Sequence, residues 1–102
     1  MPHVYLDIKL RIKLEQLFPH SQRIVAEKLL EAQCGTDLPL IAEQGIDGIN
    51  RIRCAVLKIS EGSLEKLHAA VQIANIDWRD VLVAADFAND ALAHISWLEC
   101  KS

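Results

Sequence analysis

The sequence predicts an all-α protein, a compact bundle of about five to seven short helices. Three observations carry that expectation. Apolar residues after Pro19 recur at three- and four-residue steps, the spacing of one helix face. Helix breakers and caps such as Pro19, Gly35, Gly45, Gly62 and Ser63 divide the chain at intervals suited to short helices. A chain of 102 residues that is 51% hydrophobic and 25% charged can fill one core and is too apolar to stay unfolded. Residues 1–102 are therefore expected to form a single helical domain.

The first element has two readings. Leu6, Ile8, Leu10, Ile12 and Leu14 alternate with Asp7, Lys9, Arg11 and Lys13, so residues 4–14 fit a half-buried strand. No partner strand follows, and such a strand would have to pair with something outside the fold. A helix capped by Asp7, with Leu10, Leu14 and Leu17 on one face, is the favoured alternative.

Pro19 ends this element, and Ser21 is expected to cap a helix to about Gln33 that buries Ile24, Val25 and Leu29 and stops at Gly35. Thr36 to Gln44 reads as a short helical turn, with Pro39 near its start and Leu38 and Ile41 inward. From Asp47, the residues Ile49, Ile52, Val56 and Ile59 form the next stripe, which Ser60-Glu61-Gly62 closes. Ser63 opens a helix with Leu64, Leu67, Val71 and Ala74 inward. Asn75-Ile76-Asp77 ends that helix and starts another through Trp78, Val81, Leu82 and Ala85, and a last helix runs from Asn89 or Asp90 to Leu98.

The stretch Ala55-Val56-Leu57-Lys58-Ile59-Ser60-Glu61-Gly62-Ser63-Leu64, followed by Ile76-Asp77-Trp78-Arg79-Asp80-Val81-Leu82-Val83-Ala84-Ala85, resembles a segment of small uncharacterised bacterial proteins. The resemblance is limited to roughly residues 50–98. It implies a bacterial, helical, cytosolic protein and transfers no functional residue.

A net charge of -3, spread along the chain, argues against a grip on phosphate backbones or anionic lipid, so neither nucleic acid nor membrane is expected as a partner. Lys9, Arg11 and Lys13 are a short exception, flanked by Asp7 and Glu15. Charges at Asp7, Lys9, Arg11 and Lys13 interrupt any leader-like apolar run, and no span of membrane length exists. Cys34, Cys54 and Cys100 are odd in number and lack C-x-x-C spacing, which suits a reducing, cytoplasmic setting. Cys54 reads as a core residue, with Cys34 and Cys100 near helix ends and more exposed.

Chemistry-bearing patterns are sparse. Asp77-Trp78-Arg79-Asp80 reads first as a helix start, with Asp77 as cap and Trp78 as apolar anchor. Its functional version has Trp78 and Arg79 gripping a partner. Glu65 and His68 have the i, i+3 spacing of di-metal bundles but lack a matching second pair. Asp90 and His94 could hold zinc only with a distant third ligand. No catalytic residue, cofactor or metal is assigned on this basis. The leading expectation is a non-enzymatic helical protein that contacts another protein or a second copy of itself, with Ile8 and Ile12 on the side of their helix away from Leu10 and Leu14. The alternative is a small enzyme or ligand-binding protein with a pocket between helices, lined by His68, His94, Asp86 or Cys54. A nucleic-acid-associated regulator ranks third, because acids outnumber bases over residues 63–86.

Overall fold

The computed structural model describes residues 6–35, 38, 41 and 44–99. Among them are five helices and no strand: α1 (Ile8–Leu17), α2 (His20–Gln33), α3 (Gly45–Ser60), α4 (Leu64–Ala84) and α5 (Ala93–Glu99). α3 packs most extensively against α4, α2 lies against α1 and α4, and α5 rests on α1 and α3.

The start of the chain resolves in favour of the helix. The Asp7 carboxylate accepts the Lys9 N–H at 3.1 Å, and Leu10 and Leu14 are fully buried one turn apart. The strand alternative over residues 4–14 fails because that 3.6-residue spacing meets the core, leaving Ile8 and Ile12 outside. Residues 4 and 5 lie outside the described residues. So does most of the expected turn over 36–44, although its Leu38 and Ile41 are buried as expected.

α2 departs from expectation in its rotation. Pro19, not Ser21, occupies the cap position, and Ile24 and Val25 are exposed while Ala26 and Leu30 are fully buried. The reason lies on its first turns. Arg23 donates from Nε to the Phe18 carbonyl at 3.1 Å and from Nη2 to the Glu15 carbonyl at 2.8 Å, so it must face the end of α1. That contact fixes the helix phase and turns the smaller Ala26 inward.

α3 is the centre of the molecule. Residues 52–57 are all buried, so the middle of this helix is enclosed on every side. Of its cations, Arg53 is fully buried and Arg51 and Lys58 are half-buried. Arg53 is the largest fully buried side chain among the described residues. It donates from Nε to the Cys34 carbonyl at 2.6 Å and from Nη2 to the Glu31 carbonyl at 3.4 Å, the groups that the end of α2 leaves without helical partners. Burial lowers the Arg53 pKa, opposed by the neighbouring Cys34 and Glu31. Asn75 of α4 completes the set by donating to the Gln33 carbonyl at 2.7 Å.

The other end of α3 turns onto α1. Glu61 adopts left-handed backbone, and Gly62 follows at φ +81, where a Cβ would lie 2.4 Å from the Leu17 carbonyl oxygen. Only glycine fits there. α4 then starts at Ser63, whose hydroxyl accepts the Lys66 N–H at 3.3 Å, and kinks at Asp77, where φ -157 and ψ 102 break the helix as the Asn75-Ile76-Asp77 signal implies.

Replacing Arg53 by Met should lower stability by about 3 kcal/mol, because the carbonyls at the end of α2 lose buried, charge-assisted donors. Gly35→Ala should cost about 1 kcal/mol, since its Cβ would sit 3.0 Å from Arg53 Nη2. Urea unfolding of the two variants and their combination checks this. The combined loss should be smaller than the sum, and strict additivity would contradict the shared contact.

Candidate functional site

A cleft of about 590 Å³ opens between the start of α1, the first half of α3 and the segment from Ala91 to Leu98. Its position follows from how the chain leaves α4. Asp86 takes a left-handed conformation at φ 64, while the Phe87 N–H donates to the Leu82 carbonyl at 2.8 Å and the Asp86 N–H to the Val83 carbonyl at 3.0 Å. This is a Schellman ending with aspartate where glycine is usual. It throws Phe87 into the core, 1% exposed.

α3 then fastens the segment after α4. Lys58 Nζ donates to the Ala85 carbonyl at 2.7 Å and lies 4.9 Å from the centre of the Phe87 ring. Arg51 Nη2 donates to the carbonyls of Phe87 and Ala88. Asp90 accepts the Leu92 N–H at 2.9 Å, which starts the turn into α5. Phe87 meets the His94 ring edge-on at 6.4 Å and the Trp97 ring at 6.2 Å, and Lys13 Nζ of α1 lies over the Trp97 ring at 5.0 Å from its centre. α5 is thereby held across the cleft from α3.

Polar residues are among those lining the cleft. Asn50 Oδ1 and Arg51 Nε are buried with no hydrogen-bond partner among the described residues, and the His94 imidazole is buried against the Ala91 backbone. All three residues line the cleft, with Asp47, Lys9 and Cys54 beside them. Asn50 and Arg51 come from α3 and His94 from α5, so they flank the cleft from its two sides.

The titrating groups are tuned by burial. Burial pushes the His94 imidazole below its ordinary pKa and the Arg51 charge adds to this, while the nearby Ala91 carbonyl, Asp47 and Asp90 pull the other way. Burial lifts the Cys54 thiol to about 12, with smaller contributions from Asp7 and Cys34. A thiol so poised stays protonated at neutral pH and makes a poor nucleophile, despite sharing the cleft with His94.

Of the four pocket residues expected from sequence, the fold brings His94 and Cys54 together. His68 lies exposed on α4, and Asp86 belongs to the turn after it; neither lines the cleft. Glu65 is exposed beside His68, and no cluster of three or more His, Cys, Asp or Glu suited to a metal exists among the described residues. Cys100 falls outside them. Cys34 is fully buried, against expectation, because the chain after α2 turns inward over Arg53.

The interaction candidates sit elsewhere. Ile8 and Ile12 are 72% and 50% exposed on the outer side of α1. Trp78 is half-buried against the core. Arg79 is exposed and forms a bidentate pair with Asp77 at 2.9 and 3.0 Å, which holds the Asp77 carboxyl below its usual range. The sequence reading missed Asn50, Arg51, Asp47 and Lys9. The faint signal for Asn50 was a poor helix former set between Ile49 and Ile52 on a core helix.

Among the described residues no helix is long and apolar enough to cross a membrane. Comparison with protein-family models, curated proteins and solved structures finds no match to this chain.

Because the folded chain keeps His94 neutral more strongly than the unfolded chain does, protons bind the unfolded state preferentially below the ordinary imidazole pKa of about 6.5. Stability should therefore fall as pH drops from about 6.5 toward the lowered folded value. Denaturant unfolding of His94→Phe should show a shallower slope than the parent in that window, and parallel slopes would contradict it.

Proposed function

We propose that the chain binds a small molecule in the cleft between α1, α3 and α5, as a cytoplasmic helical binding protein without chemistry of its own. The carrying observation is the cleft itself, where Asn50, Arg51 and His94 stand beside the apolar side chains of Leu10, Ile95 and Leu98. The size of the cleft is in the range of ligand pockets, about 300–1,000 Å³, and its apolar walls beside a few polar atoms match their usual make-up. The protonated Cys54 favours binding over covalent catalysis.

A second reading, self-association or docking to another protein, is favoured by Ile8 and Ile12, which present branched apolar side chains to solvent on one face of α1. The cations support neither nucleic-acid contact nor a basic face, since Arg23, Arg51, Arg53 and Lys58 are committed to backbone carbonyls.

Native mass spectrometry of the chain purified gently from its own cell separates the two. Small-molecule binding gives a monomer with added mass that disappears in Ala91→Trp, which fills the cleft from its exposed side. Self-association gives a dimer that Ile8→Asp and Ile12→Asp dissolve. A bare monomer in parent and variants alike would remove both readings.

A further inference from the structure

α5 is fastened to the bundle by an ionisable side chain. Of its seven residues His94 is the buried one, at 9% exposure, while Ala93, Trp97 and Leu98 are half-buried and Ile95, Ser96 and Glu99 face solvent. The place that an apolar anchor fills in most amphipathic helices thus belongs to a group that gains a charge near neutral pH. A helix this short does not keep its shape once its packing is lost.

The surroundings of the ring decide how a proton is received. From α3, Arg51 donates through Nη2 to the Phe87 and Ala88 carbonyls, so its guanidinium is held beside the residue whose ring meets His94 edge-on at 6.4 Å. Lys58 Nζ of α3 lies 4.9 Å from the centre of that Phe87 ring, and Lys13 Nζ of α1 lies 5.0 Å from the centre of Trp97. Cations from two helices therefore already gather on the aromatic cluster that carries α5. Against them, Asp47 on α3 and Asp90 before α5 are exposed, where water and salt screen their attraction, and Lys9 of α1 is paired with Glu99 of α5 at 3.4 Å. Burial and Arg51 outweigh the Ala91 backbone, Asp47 and Asp90, which leaves the docked imidazole harder to protonate than a solvated one.

We propose that α5 is an acid-released latch on the cleft: protonation of His94 drives the imidazole out to water, and α5 leaves α3 while α1 to α4 stay folded. Its control over binding rests on the small-molecule reading above, since the cleft would lose the wall that Ile95 and Leu98 provide. The sign follows from where the proton is welcome. A detached α5 takes it up more readily than a docked one, so docking weakens as pH falls below the ordinary imidazole value of about 6.5. The other described histidines, His20 on α2 and His68 on α4, are exposed and give those helices no equivalent release.

Amide hydrogen exchange of the ligand-free full chain at pH 7 and pH 5, expressed as protection relative to an unstructured chain at each pH, tests the latch. Protection of residues 97–99 should fall at least about fivefold at pH 5, while residues 52–57 of α3 and 67–74 of α4 change by less than about twofold. His94→Gln and His94→Phe should each hold α5 protection level between the two conditions. Unchanged protection at residues 97–99 in the parent, or a loss shared equally by α3 and α4, would overturn the latch, and both are read without any variant. The same loss in a variant that keeps its protection at residues 52–57 would overturn it as well, by placing the cause outside His94. No ligand is present in these measurements, so the latch can fail while added mass in the native spectrum upholds the binding reading, and it can hold while a bare monomer removes that reading.

Discussion

Arg53 sets the terms for this fold. A guanidinium with no solvent exposure lies at the middle of α3 and closes the carbonyl end of α2, where a helix leaves acceptors that water would otherwise satisfy. Those acceptors are buried under neighbouring helices, so a donor had to come from the protein. The same solution recurs around the molecule. Arg23 closes the end of α1, while Lys58 and Arg51 hold the chain after α4. Short helices have many ends for their length, and a bundle of them is stable only if those ends are satisfied when packed together. Cations serve twice here, as hydrogen-bond donors and as charges favourable at the negative end of a helix dipole.

This arrangement also makes the cleft. α5 is seven residues long, too short to persist alone, and depends on Phe87, Trp97 and the Lys13 ammonium over that indole. Arg51 links the two roles: its Nη2 fixes the segment leading to α5, and the residue also lines the cleft. Movement of α5 would therefore loosen the same contacts that shape the cleft.

The fold class was legible in the sequence because caps and breakers are local signals. Asp7, Ser63 and the Asp77 kink act where their chemistry says they should. The rotation of α2 was not legible: three branched apolar residues outweighed one alanine in the pattern, while a tertiary contact from Arg23 decided which face turned inward. The site was half legible. His94 and Cys54 could be named as pocket residues, but the buried arginines could not, because a guanidinium in a sequence is read as a surface charge until its carbonyl partners are known. Asn50 and Arg51 become meaningful only once α5 lies across from them.

The most direct measurement is solvent exchange of the arginine Nε–H protons, resolved by nitrogen-edited NMR after transfer into deuterated water. If buried guanidinium caps hold this bundle together, the Arg53 Nε–H should outlast that of the exposed Arg79 by at least about a hundredfold, because its release requires opening the α2–α3 contact. Equal, rapid exchange at Arg53 and Arg79 would mean that the end of α2 is satisfied by water, and the account built on cationic capping would be wrong.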